Sequence, residues 1–140
     1  MKILSLLLAL FISGCVTLPD GVTPVDGFRV EKFLGKWYEV ARLDHPFERG
    51  LTRVSAEYTV REDGGLRVVN RGYSARENRW KQAVGKAYFV QDPGQGFLKV
   101  SFFGPFYGAY VVVDLDQEYY RYALSLWPGP LIPLDPVQES

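Results

Sequence analysis

The sequence predicts an all-β domain, an up-and-down antiparallel barrel, and three observations carry that expectation. Between Trp37 and Leu124 the chain reads as seven apolar-rich runs, several alternating cleanly with polar residues, that start 10 to 17 residues apart. That is the pattern of strands that bury one face and follow one another through short turns. Nine Tyr and nine Phe, with aromatics at 15% of 140 residues, favour pleated sheet. No segment of helical period is long enough for a βαβ unit. The length suits one domain with one core.

The first fourteen residues read as a leader. Lys2 precedes an apolar run from Ile3 to Ile12 broken only by Ser5, which has the length of a signal-peptide core and is too short to cross a bilayer as a helix. It ends at Ile12-Ser13-Gly14-Cys15. Cys15 is the single cysteine, so no internal disulfide can form. Residues 15–26 carry two prolines and a glycine without period and read as a tether. Phe28, Val30, Phe33 and Leu34 then suggest a helical turn under the barrel.

The barrel is expected over residues 27–124. Gly35 turns the chain into a first strand that puts Trp37, Glu39 and Ala41 on one face and Tyr38, Val40 and Arg42 on the other. Trp37 is expected to plug one end of the sheet. Glu39, if interior, needs a partner. Thr52 to Arg61 alternates with Val54, Ala56, Tyr58 and Val60 on one side, the mark of a half-buried antiparallel strand. Asp63-Gly64-Gly65 is a hairpin turn whose glycines supply positive φ. Leu66 to Tyr73 follows, with Leu66, Val68, Asn70 and Gly72 on one face. Trp80 to Val90 is a long strand in which Gly85 is expected to mark a bulge or sharp bend. After the Asp92-Pro93-Gly94 turn, Phe97 to Phe103 and Tyr107 to Leu115 form two strands around Gly104-Pro105-Phe106, and Tyr119 to Leu124 is the last strand expected.

Two of these stretches resemble a known family. Gly35-Lys36-Trp37-Tyr38-Glu39-Val40-Ala41-Arg42, followed by Asp44-His45-Pro46-Phe47-Glu48-Arg49-Gly50, is similar to the opening of a bacterial, apolipoprotein D-like lipocalin. The resemblance runs to Leu124 and includes Gly85 to Phe89, Leu98 to Gly108 and Asp114 to Tyr119. It implies an eight-stranded lipocalin barrel, its base closed at Gly35 and Trp37, that holds a fatty acid, lysophospholipid or similar ligand for storage or transport in envelope maintenance. Ser13-Gly14-Cys15 likewise resembles a lipobox, implying acylation of Cys15. Three acyl chains, at about 0.8 kcal/mol per buried CH₂, would anchor the chain permanently. Val16 rather than Asp after the cysteine implies the outer membrane, with the domain facing the periplasm.

After Leu124 the pattern fails. Residues 125–140 hold four prolines in the nine residues from Pro128, and proline cannot donate to a sheet ladder. The resemblance calls here for an eighth strand and a C-terminal helix. Starting each codon from Trp127 one nucleotide later forces Gly and permits Pro, Asp, Arg, Ser or Leu, and then Tyr-Leu-Trp-Ile-Leu-Ser-Arg, the family's closing strand. The tail is therefore expected to be a frameshifted reading, leaving about seven of eight strands. An open sheet would expose two edges and lose an Arg that lies on the tryptophan in the family, a contact worth about 0.5–2 kcal/mol.

Formal charge is zero, with 16 basic and 16 acidic residues interspersed, which removes the electrostatic case for nucleic acid. His45 is the single histidine and cannot supply a histidine-rich metal site. Asp44, His45 and Glu48 read as a polar loop at the barrel mouth, and Glu62 and Asp63 as a solvated turn. No nucleophile motif or phosphate loop occurs, so no catalysis, cofactor or metal is called for. What remains is an apolar interior lined by alternate strand residues: Val54, Ala56, Tyr58, Val68, Ala87, Phe89, Val100 and Phe102, with Asn70 as a polar anchor. The apolar turn from Phe102 to Tyr107 could line the mouth, touch membrane, or pair two copies as a homodimer. A non-catalytic structural or partner-binding envelope lipoprotein, and a truncated product without function, stay open as alternatives.

Overall fold

A computed structural model of the chain describes residues 16–41 and 50–127 and the backbone of residues 135 and 136. The leader with Cys15, the loop with Asp44, His45 and Glu48, and most of the proline-rich tail lie outside the described residues. One helical turn, α1 (Val30–Phe33), leads into β1 (Gly35–Tyr38), β2 (Leu51–Val60), β3 (Leu66–Ser74), β4 (Arg79–Phe89), β5 (Phe97–Phe103), β6 (Phe106–Leu115) and β7 (Ala123–Leu126). These strands are antiparallel neighbours in chain order. A two-residue strand, β8 (Asp135–Pro136), pairs with β4 at Lys81 and Gln82.

The sheet is curled. β2 and β6 are separated by three strands, which in a flat sheet would set them about 19 Å apart. Instead the hydroxyl of Tyr58 on β2 donates to that of Tyr110 on β6 at 3.2 Å. The face they share holds the main core, and α1 closes one end of it. Phe33 stacks on Trp37 at 4.9 Å and on Tyr58 at 4.8 Å, and Phe28 packs on Phe33, Phe89 and Tyr120. The indole N–H of Trp37 donates to the Phe33 carbonyl at 2.7 Å, so the half-buried tryptophan is tied to α1 at that end of the sheet.

Several elements differ from expectation. Regular pairing of β1 ends at Tyr38, and Glu39 is exposed rather than interior, although its amide still donates to the Val54 carbonyl at 2.9 Å. Gly85 carries no bulge: it pairs in register with Val68. A Cβ there would sit 2.6 Å from the Ser101 carbonyl oxygen and 2.7 Å from the Phe102 ring, so glycine is required by the close crossing of β5. The register shifts fall instead between Thr52 and Ser55, Val100 and Phe103, and Val112 and Asp114. In the β2–β3 turn only Gly64 has positive φ, whereas Gly65 leaves room for the ring of Tyr88.

The last strand begins later than expected. The Asp116 carboxylate accepts from the amides of Tyr119 and Arg121 and from Arg121 Nε at 2.8 Å, and the Tyr120 amide donates to the Asp116 carbonyl. These local bonds wind residues 116–121 into a turn, with Tyr120 at φ 52°, and outcompete a ladder. The Arg121 guanidinium in turn holds the Asp116 carboxyl below its usual range. Strand pairing resumes at Ala123 and persists through Leu126, past the expected boundary at Leu124, because the prolines begin only at Pro128.

The segment from Val16 to Asp26, read as a tether, lies against the outside of the sheet. Val16, Leu18 and Val22 pack on Phe97, Ala109 and Val111, and Val25 exchanges backbone bonds with Val112 and Gly96. Among the described residues β1 and β7 each have one sheet neighbour. An open depression of about 320 Å³ lies beside β1, lined by Lys32, Lys36, Trp37, Tyr120 and Arg121 among others.

Replacing Gly85 by Ala should destabilise the domain by about 1–3 kcal/mol, the usual cost of overpacking against backbone. Urea unfolding measures this; an unchanged midpoint would show that β5 is free to move away from β4.

Candidate ligand-binding interior

Strand alternation and register together set the concave face in rows. Trp37, Ala56, Asn70 and Ala83 form one row, and Tyr58, Val68 and Gly85 the next. Leu66, Ala87, Val100 and Gly108 form a third, and Phe89, Leu98 and Tyr110 a fourth. The second and third rows include positions with little or no side chain, Gly85, Ala87 and Gly108, and over Gly85 the Phe102 ring packs directly on the backbone.

Eight apolar residues are expected as walls, and the sheet carries them as follows. Tyr58, Val68, Ala87 and Val100 are buried in the main core, and Ala56, Phe89 and Phe102 pack against it half-buried. Val54 stands within the irregularity in β2, beside Gly72 and apart from that cluster, so it does not join the expected wall. Asn70 is half-buried between two alanines, the expected polar anchor on the expected face. Leu98, Tyr110 and Trp127 were not among the expected walls. Tyr107 to Leu115 alternates, with Gly108, Tyr110 and Val112 on one face, a signal that could have found Tyr110. Nothing local marks Trp127, which follows the last residue of β7.

The polar chemistry of this face is sparse and made of neutral donors. Burial pushes the Tyr58 phenol well up, with the neighbouring Tyr110 adding to it. Burial also raises Tyr110, partly offset by hydrogen bonds from Ser125 and Tyr58. Both phenols therefore stay protonated at any physiological pH. Trp127 packs edge-on to Phe102 at 6.1 Å and lies 6.4 Å from Tyr110. Its indole N–H is buried without an acceptor among the described residues, a donor whose desolvation is uncompensated.

Formal charge is kept on the outer face. Arg71 lies 4.9 Å over the Trp80 ring, Arg53 5.5 Å over Tyr73, and Lys99 5.0 Å over Tyr107. The Asp63 carboxyl is held far below its usual range by Arg61, then by the Tyr88 hydroxyl and the Gly65 amide.

Comparison with known proteins agrees with this architecture. The family model for a lipocalin-like domain matches residues 28–129. Outer membrane lipoprotein Blc of Vibrio cholerae is 57% identical over 124 residues, covering 89% of this chain and 72% of that protein. The protein of the same name from Escherichia coli K12 is 55% identical over 112 residues, covering 80% of this chain and 63% of its own. Apolipoprotein D of Bos taurus is 32% identical over 102 residues, covering 71% and 52%. The chain thus spans about two thirds of the length of these bacterial relatives and half of the mammalian one.

Tyr58→Phe deletes the donor to Tyr110 while Ser125 still supplies one. It should cost about 0.5–1.5 kcal/mol of stability, read by urea unfolding. An unaltered stability would mean that the bond across the curl contributes nothing.

Proposed function

The chain belongs to the lipocalin family, and from that premise we infer that it is a non-catalytic lipid-binding lipoprotein of the bacterial outer membrane. It is anchored through acylated Cys15, faces the periplasm, and stores or carries fatty acids or lysophospholipids in envelope maintenance. The observation that carries the ligand class is the pairing of an apolar concave face with buried neutral donors at one place on it. The hydrogen-bonded Tyr58 and Tyr110 phenols stay protonated, and beside Tyr110 the Trp127 indole N–H lacks an acceptor among the described residues. A ligand with an acyl chain and an acceptor head, carboxylate or phosphate ester, satisfies both demands: the chain covers Ala56, Tyr58, Val68, Ala87, Phe89, Val100 and Phe102, and the head takes the donors. Asn70 offers a second polar contact.

Anchoring has independent support. The lipobox-like Ser13-Gly14-Cys15 follows an apolar leader, and the bacterial relatives are named outer membrane lipoproteins. The tail is a separate matter. The family match ends at residue 129, and residues from about Ser125 onward are proposed to be a shifted-frame reading of a closing strand that would lie between β1 and β7.

Binding is tested with an apolar fluorescent probe displaced by fatty acid. Tyr110→Phe and Asn70→Leu should each weaken fatty acid about ten- to hundredfold, the value of one hydrogen bond to a charged group, with little effect on an uncharged hydrocarbon. Absence of probe binding by the folded chain would favour a partner-binding envelope lipoprotein or a product without function. Sequencing the gene across the codons for Leu124 to Ser140 checks the tail, with a single-nucleotide shift expected; an intact frame would overturn that reading.

A further inference from the structure

The hairpin joining β5 to β6 exposes its apolar residues where a solvated turn would be expected. Phe103 is 63% exposed and Phe106 59%, stacked nearly parallel at 6.1 Å, with exposed Gly104 and Pro105 between them. Immediately below the tip on the outer face, the Tyr107 ring has Lys99 at 5.0 Å, Lys86 at 6.0 Å and the Tyr88 ring at 6.4 Å. Arg67 pairs in register with Lys86. Among the described residues the carboxylate bonded at this patch, Asp63, is already held by Arg61 and Tyr88. The patch therefore presents apolar rings at its tip, phenols beneath them and, beneath those, cations that form no ion pair among the described residues. This is the order in which acyl boundary, interface and phosphates follow one another at an anionic membrane surface.

The amino-terminal segment leads to the same strands. Val16, Leu18 and Val22 lie on the Phe97, Ala109 and Val111 patch outside β5 and β6, and the covalent neighbour of Val16 is Cys15. Acyl chains on that cysteine would start one residue from this face. Ala109 is only three residues along β6 from Phe106, about 10 Å of strand.

We propose that the Phe103–Phe106 hairpin is a second membrane contact, its phenylalanines inserted at the acyl boundary and Lys86 and Lys99 engaging the headgroups of anionic phospholipid. The occupant is the bilayer surface, and the assignment rests on the anchoring inferred above. One acyl anchor leaves a domain free to swivel; a contact on the same strand pair fixes its tilt.

The full acylated chain tests this in vesicles of phosphatidylethanolamine with and without phosphatidylglycerol. Acylation occupies the native thiol, so Pro105→Cys introduces the single free one, which takes an environment-sensitive fluorophore. In phosphatidylglycerol vesicles the label should shift to the blue and be quenched by acyl chains carrying bromine. A label at Glu62→Cys, in the turn at the opposite end of β3 and β4, should stay in water. Adding Phe103→Ser and Phe106→Ser should abolish the quenching, and Lys86→Glu or Lys99→Glu should weaken it about fivefold each. A tip label as wet as the control overturns the proposal. So does quenching indifferent to phosphatidylglycerol and to both lysines, or a blue shift that follows protein concentration rather than lipid, which would mean that a second copy covers the tip. Vesicle flotation separates the premises: a chain that fails to float refutes the anchor, and one that floats with a wet tip refutes only the hairpin contact.

Discussion

Curling a seven-stranded sheet until β2 and β6 touch is the constraint on which the other features depend. The touch itself is one hydrogen bond, Tyr58 to Tyr110, but it is enforced by aromatic packing at the end of the sheet. Phe33 lies between Trp37 and Tyr58, and Phe28 reaches from Phe33 to Phe89 and Tyr120. Large rings supply much apolar area at few rotatable bonds, so a four-residue helix is enough to hold the two sides of the sheet together. Gly85 allows the tight crossing where β5 leans over β4, and three register shifts take up the remaining curvature.

Curvature also sorts the polar groups. Residues on the concave face lose water and must be apolar or satisfied, which is why the interior holds neutral phenols and an amide while guanidinium and ammonium groups lie over aromatic rings outside. The exceptions carry the chemistry. Trp127 keeps a buried N–H without an acceptor among the described residues, and Tyr110 accepts from Tyr58 across the curl. Phe103 and Phe106 remain in water at the tip of a hairpin, above a face rich in cations.

Edges are the weak point of an open sheet. Beside β1 and the β6–β7 turn, the depression lined by Trp37, Tyr120 and Arg121 is flanked by Lys32 and Lys36. The outer face of β5 and β6, by contrast, is covered by the segment from Val16 to Val25. That segment carries too many prolines for a helix, yet its scattered valines and leucine are sufficient to pack.

Order and type of the strands were legible in the sequence, because a period of two with glycine turns is a local property that each stretch of chain carries by itself. So was the facing of Ala56, Tyr58, Asn70, Val68 and Ala87, which follows from alternation once a strand is placed. What alternation cannot express is distance between strands remote in sequence. The Tyr58–Tyr110 contact, the reason for Gly85, the burial of the Trp127 indole and the docking of Val16 exist only when the sheet curls. The start of β7 escaped for a different reason: the Asp116 carboxylate captures three donors of the following residues, and side-chain competition for backbone amides leaves the apolar pattern of Tyr119 to Leu124 unchanged. Sequence determined the strands, their order and the face each presents; tertiary structure decided which faces meet, since closure of the curve depends on the sum of packing across the whole sheet.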